Sequence, residues 1–325
     1  MKSQVTLSST LLAVLFLSFG ISCHAQLGYG YYNGKCGNQD VESIIRSIVQ
    51  SRFSADRKIV AGLLRMQFHD CFVNGCDASI LLDGPFSEKT APPNLSVFGY
   101  DVIDQIKKAL EATCPGVVSC SDIIIAAVRD ALVMAGGLPY QVQMGRKDGM
   151  VSFAGLANNN LPPPNIPVPL AIQAFQARGL NPFDMVLLLG GHTVGVTHCS
   201  VIRDRLYNFN GSGRPDPSLN PLYVQILSNM VCPRFSPVDN IVFLDDPSSV
   251  LTVDNNYYKQ LLQNKGILPI DQAIAMDWST AWIVQLLANT NLFPNLFNQA
   301  MVKLGAVQVL TGQQGQIRRD CRRTN

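Results

Sequence analysis

His69 stands in Leu63-Leu64-Arg65-Met66-Gln67-Phe68-His69-Asp70-Cys71, four residues after Arg65. Residues four apart on a helix share a face, so this stretch can set a base beside a fixed cation. An imidazole can take up and return a proton near neutral pH, and a guanidinium stays charged throughout. The same pair also occurs as a purely structural contact, and spacing alone leaves both readings open.

His192 follows the apolar run Met185 to Leu189 and two glycines, in Leu189-Gly190-Gly191-His192-Thr193-Val194-Gly195. Glycines let something bulky approach the backbone. Such a histidine is either a satisfied core residue or an axial ligand to a haem iron, and its neighbours alone leave both open. Oxygen-bearing side chains at Asp70, Asp77 and Ser79 flank a bend at Gly75. Calcium takes about six to eight oxygen ligands and accepts backbone carbonyls among them. A second set, Asp246, Ser249, Thr252 and Asp254, reads equally well as a polar turn.

The elements that must position these groups are helical. Val41, Ile44, Ile45 and Ile48 form one apolar stripe, and Val102, Ile103, Ile106 and Leu110 form another. Further helices are predicted through Ser121–Met134, Leu170–Ala177, Asp184–Leu189, Leu222–Met230, Asn256–Gln263, Thr280–Ala288 and Phe293–Leu304, with strands scarce and short. The segment Asn158 to Pro169 holds five prolines, cannot continue a helix, and reads as a link between two halves.

Charge excludes one large class of partner. Lys+Arg 25 against Asp+Glu 23 leaves no basic footprint for nucleic-acid phosphates. The chain starts with Lys2, an apolar run from Leu11 to Phe19 and Ala25, the pattern of a signal peptide over residues 1–25. Ser18, Gly20, Ser22 and His24 interrupt it too early for a membrane anchor, which needs about 20 apolar residues. Processing would remove Cys23 and leave eight cysteines, an even number suited to an oxidising compartment. Spacing singles out only the short Cys71 to Cys76 loop. Zinc is disfavoured, since there is no CxxC and no histidine at finger spacing. Asn210-Gly211-Ser212 and Asn94-Leu95-Ser96 are glycosylation sequons.

Taken together, Arg65 to Leu82, Leu187 to Gly195 and the order of all eight cysteines resemble the class III secretory plant peroxidases over nearly the whole mature chain. The resemblance implies a mainly α haem peroxidase fold. A distal half, about 26–155 with the C-terminal segment, and a proximal half, about 165–290, would sandwich one haem b and be stapled by four disulfides. These would pair Cys36–Cys114, Cys71–Cys76, Cys120–Cys321 and Cys199–Cys232. It implies His192 as iron ligand, Asp271 as acceptor of its other ring proton, and Phe68 beside the haem. His69 and Arg65 would act on hydrogen peroxide, Asn94 would hold His69, and Glu88 would be the upstream partner in that network. Two calcium sites are implied. Asp70, Val73, Gly75, Asp77 and Ser79, with Glu88 close by, match the distal one; Thr193, Asp246, Ser249, Thr252 and Asp254 match the proximal one. Pro162 matches the residue whose carbonyl faces small phenolic or aromatic donors.

Four departures stand out. Phe98 replaces a common Arg, Tyr140 a usual Trp, and Asp245 an apolar residue often set against the proximal haem face. Asn94 lies in a sequon, yet a glycan there would destroy its bond to His69, so it is expected to be bare. The implied product is a secreted, monomeric enzyme of the extracellular space or cell wall; the short tail after Cys321 disfavours the vacuole. Two competing readings are a scaffold protein that has lost catalysis and a calcium-binding, lectin-like module. The intact Arg65, His69, Asn94, His192 and Asp271 oppose the first, and the scarcity of strands the second.

Overall fold

A computed structural model describes residues 27–325; the predicted signal peptide, residues 1–25, lies outside the described residues. Thirteen α-helices carry the described chain. Helix α1 (Val41–Ala55) starts where the Asp40 carboxylate accepts the Glu42 N–H at 3.0 Å and buries Val41, Ile45 and Val49. Helix α2 (Ile59–Asn74) carries Arg65, Phe68, His69 and Asp70. It stops at Gly75, whose φ of 91° and close approach to the Gln308 carbonyl exclude a Cβ. Helix α3 (Tyr100–Thr113) buries the predicted stripe Val102, Ile103, Ile106 and Leu110. Helix α4 (Cys120–Met134), capped by Ser119, is buried nearly all round, as a central helix must be. It packs against α1 and α2.

The proline-rich link is flanked more tightly than predicted. Helix α5 (Ala154–Asn160) ends because Leu161 precedes Pro162 and is held extended, with φ −76° and ψ 124°. Helix α6 (Val168–Gln176) then begins with Pro169 in its first turn, where the missing N–H costs nothing. In helix α7 (Pro182–Leu189) Asn181 and Asp184 cap each other reciprocally. It runs directly into the tight turn Gly190–Val194 that presents His192.

Helices α8 (Cys199–Tyr207) and α9 (Pro221–Ile226) follow. The single helix predicted over Leu222–Met230 instead widens into a π turn, Leu227–Val231. Helices α10 (Asn256–Leu262), α11 (Pro269–Met276), α12 (Ala281–Asn289) and α13 (Phe293–Gly305) complete the chain. Two three-residue strands, β1 (Val196–His198) and β2 (Ile241–Phe243), pair antiparallel, with Val196 opposite Phe243 and His198 opposite Ile241.

Helices α10, α11 and α12 pack on one another, and α12 also meets α7. Helix α13 touches both α7 and α2, and α2 meets the His192 turn. The apolar core runs through both groups of helices without a break. Four disulfides join Cys36 to Cys114, Cys71 to Cys76, Cys120 to Cys321 and Cys199 to Cys232, the pairing the resemblance implies. No helix among the described residues is long and apolar enough to cross a membrane.

Candidate active site

On α2 the predicted pair does meet: Arg65 Nε donates to His69 Nε2 at 3.1 Å. That bond makes Nε2 an acceptor, so the ring proton of neutral His69 sits on Nδ1 and is donated to Asn94 Oδ1 at 2.5 Å. The Asn94 amide is oriented in turn by donating from Nδ2 to the Glu88 carbonyl at 2.8 Å. Burial, reinforced by the Arg65 charge, lowers the His69 pKa to about 3. The imidazole is therefore held neutral and ready to accept a proton. Phe68 stacks on Phe72 with ring centroids 4.7 Å apart and meets the His69 ring edgewise at 6.0 Å.

Two anchors of Arg65 escape sequence reasoning. Its Nη1 donates to Ser96 Oγ and its Nη2 to the Pro93 carbonyl, both at 2.9 Å. Both sequon side chains, Asn94 and Ser96, are thus engaged with catalytic candidates, and Asn94 is only 2% exposed.

Across from α2, Asp271 at the start of α11 accepts from His192 Nδ1 at 2.8 Å. The same carboxylate accepts the Tyr257 hydroxyl at 2.9 Å and the Leu268 N–H at 3.2 Å. The glycines before His192 do admit bulky groups to the backbone, as predicted. A Cβ on Gly190 would strike the Tyr258 hydroxyl and Phe293, and one on Gly191 would press on Leu64. The bulky neighbours are the protein's own side chains.

His192 Nε2 makes no hydrogen bond among the described residues, and 28% of the side chain is exposed although Asp271 is fully buried. A free imidazole nitrogen with its opposite N–H tied to a carboxylate is what an iron ligand requires. The residues present therefore fit a haem held through His192.

Among the described residues no three His, Cys, Asp or Glu side chains converge as a ready-made metal cluster. The two oxygen sets hold fewer carboxylates and draw on hydroxyls and carbonyls. At the distal set, Asp70 accepts the Ala78 N–H at 2.9 Å and Asp77 the Ser79 N–H at 2.9 Å, beside Val73 and Gly75 in the loop closed by Cys71–Cys76. Ser79 Oγ and both Glu88 carboxylate oxygens are buried without a hydrogen-bond partner. Burial pushes Asp70 and Asp77 above the usual carboxylate range and Glu88 up to about 8. Orphaned buried oxygens beside crowded carboxylates fit a cation.

At the proximal set, Thr193 is buried, while Asp246 and Asp254 are both half-buried and Asp246 accepts from the Ser248 N–H and hydroxyl. Ser249 Oγ accepts from Asn256 Nδ2 at 2.9 Å, and Thr252 contributes its carbonyl. Asp245, noted from the sequence only as a departure, is buried here. Pro162 is half-buried in the link between α5 and α6, and the Pro164 carbonyl accepts the Ile270 N–H at 3.0 Å, tying the link to α11. Phe98 lays its ring on Gly62 of α2.

A family model described as Peroxidase matches residues 45–290. Peroxidase 60 of Arabidopsis thaliana is 48% identical over 323 residues, covering 98% of this chain and 96% of the relative. Peroxidase 57 of the same plant is 48% identical over 318 residues, covering 97% of each chain. Peroxidase 5 of Vitis vinifera is 44% identical over 329 residues, covering 100% of this chain and 99% of the relative. Similarity of this depth and extent places the chain in the class III plant peroxidases, and makes it a haem-dependent oxidoreductase that reduces hydrogen peroxide at the expense of reducing donors.

Proposed function

We propose that the physiological donors are small phenols or other aromatics, oxidised one electron at a time, and that His69, Arg65 and Asn94 do the proton chemistry on peroxide. The observation that carries this is the chain Arg65–His69–Asn94–Glu88, which leaves one basic nitrogen facing a fixed positive charge. Bound haem, held by His192, would supply the redox-active iron that takes oxidation from peroxide and passes it to donors.

His69 Nε2 takes the proton from one peroxide oxygen and returns it to the other as that oxygen leaves as water. Arg65 stabilises the negative charge on the leaving oxygen. Peroxide must first open the Arg65–His69 hydrogen bond, because that bond occupies the atom that receives the proton. Asn94 keeps the His69 proton on Nδ1 throughout. Asp271, by accepting the His192 Nδ1 hydrogen bond, leaves Nε2 unprotonated and would make it a stronger electron donor to a haem iron held there. The Pro162 carbonyl would meet the donor hydroxyl.

The same reading includes one haem b and two calcium ions, a distal and a proximal half on either side of the haem, and a monomer. It also includes removal of the signal peptide and export to the extracellular space or cell wall, with no nucleic-acid or membrane partner. The test is a donor panel on purified holoenzyme, comparing phenols, aromatic amines and non-aromatic reductants at fixed peroxide. Peroxide-dependent turnover of phenols with a Soret band present supports the proposal; turnover confined to non-aromatic reductants overturns it.

A further inference from the structure

The short ribbon of β1 and β2 lays the chain leaving His192 beside the chain entering the proximal oxygen set. Its ladder continues with the Leu244 N–H donating to the Gly195 carbonyl at 3.1 Å. Beyond that bond the two strands bring Thr193 and Asp245 together. Thr193 Oγ1 lies 2.6 Å from Asp245 Oδ2 and 2.9 Å from the Thr252 carbonyl.

A hydroxyl carries one proton, so the two oxygens compete for it and can at best share one weakened, three-centre bond. A cation resolves that conflict, because it accepts lone pairs from a hydroxyl, a carboxylate and a carbonyl at once. Asp245 is 2% exposed, and its second oxygen is held by the Asp246 N–H at 2.6 Å and Gln260 Nε2 at 3.3 Å. Asp254 is a further carboxylate close to both Asp245 and Asp246. No salt bridge joins either one to a lysine or arginine among the described residues. Asp246, which the family resemblance would choose, is half-buried and makes no hydrogen bond to Thr193 among the described residues; its Oδ1 accepts from the Ser248 N–H at 2.9 Å and hydroxyl at 2.6 Å.

We propose that Asp245, rather than Asp246, is the carboxylate that closes the proximal calcium site of this chain, together with Thr193, the Thr252 carbonyl, Ser249 and Asp254. The assignment rests on the reading that this oxygen set holds calcium at all. It makes the departure at Asp245 an exchange of ligand: the carboxylate moves from a half-buried position to a buried one and grips the residue next to His192.

The experiment measures calcium per chain, and its release rate into a chelator, in holoenzyme of wild type, Asp245→Asn and Asp246→Asn. Wild type should hold two ions. Asp245→Asn should hold one, or release the second more than about tenfold faster, the scale on which losing even an indirect partner weakens a bound metal. Asp246→Asn should keep both at the wild-type rate. Two ions released equally from wild type and Asp245→Asn would overturn this assignment alone, as would loss of an ion in Asp246→Asn. A wild type with a single calcium that Asp70→Ala removes overturns the proximal site itself. Should Asp245→Asn yield no folded protein, Asp246→Asn decides by itself: retention of both ions supports the assignment and loss of one defeats it.

Discussion

Ser96 Oγ holds Arg65 Nη1 at 2.9 Å, so the third residue of a glycosylation sequon fixes the cation that faces His69. Ser96→Ala removes that anchor but leaves the one to the Pro93 carbonyl. The rate of reaction with peroxide should fall by roughly fivefold, the worth of about one hydrogen bond. Arg65→Leu should cost roughly a hundredfold to a thousandfold, as losing a preorganised charge does. Stopped-flow mixing with peroxide measures both; a larger loss for Ser96→Ala than for Arg65→Leu would contradict the order given.

His69→Leu removes the base and leaves His192 untouched. We expect the peroxide step to slow by about a hundredfold to ten-thousandfold while the Soret band keeps its intensity. Loss of haem in this variant would show that His69 holds the cofactor pocket together instead of moving protons.

Asp70 neighbours His69, so an ion at the distal set would fix the backbone from which the imidazole projects. Chelation, or Asp70→Ala, should lower the bound calcium, the melting temperature and the peroxide rate together. Misplacing a catalytic group by about an ångström can cost roughly a hundredfold. A preparation with no calcium and full activity would remove the ion from both oxygen sets.

Pro162, Pro163 and Pro164 stand in a row in the link, with Pro163 and Pro164 exposed. If they wall the approach to the donor carbonyl, methoxy-crowded phenols should react more slowly than guaiacol-like ones. Pro163→Ala should narrow that ratio by up to roughly tenfold, the scale of one or two methylenes in a binding pocket. An unchanged ratio would place donor access elsewhere.

What the sequence disclosed follows from range. Arg65 and His69 lie four apart on one helix, and periodicity alone puts them on a common face. The apolar stripes of α1 and α3 were legible for the same reason. The partners Asn94 and Asp271 lie 25 and 79 residues from their histidines, beyond any local pattern, and only family resemblance pointed to them. Ser96, Tyr257 and the exchange of Asp245 for Asp246 were not legible, because each depends on how loops fall after the helices have packed. Helix α11, which carries Asp271, was also missed: Pro269 at its start reads locally as a breaker, although a first turn tolerates it.

Cys120 and Cys321 are 201 residues apart, and their bond has a consequence for synthesis. The partner of Cys120 follows 201 residues later, so this bond must wait until that whole stretch has been made. Closing so long a loop removes about 5 kcal/mol of freedom from the unfolded chain on the chain-entropy account. That restraint is gained only once Cys321 has been made and exposed to the oxidant. Before then Cys120 can mispair with six others, Cys36, Cys71, Cys76, Cys114, Cys199 and Cys232, and the order in which the cysteines are oxidised decides whether the chain reaches this fold or a mispaired one.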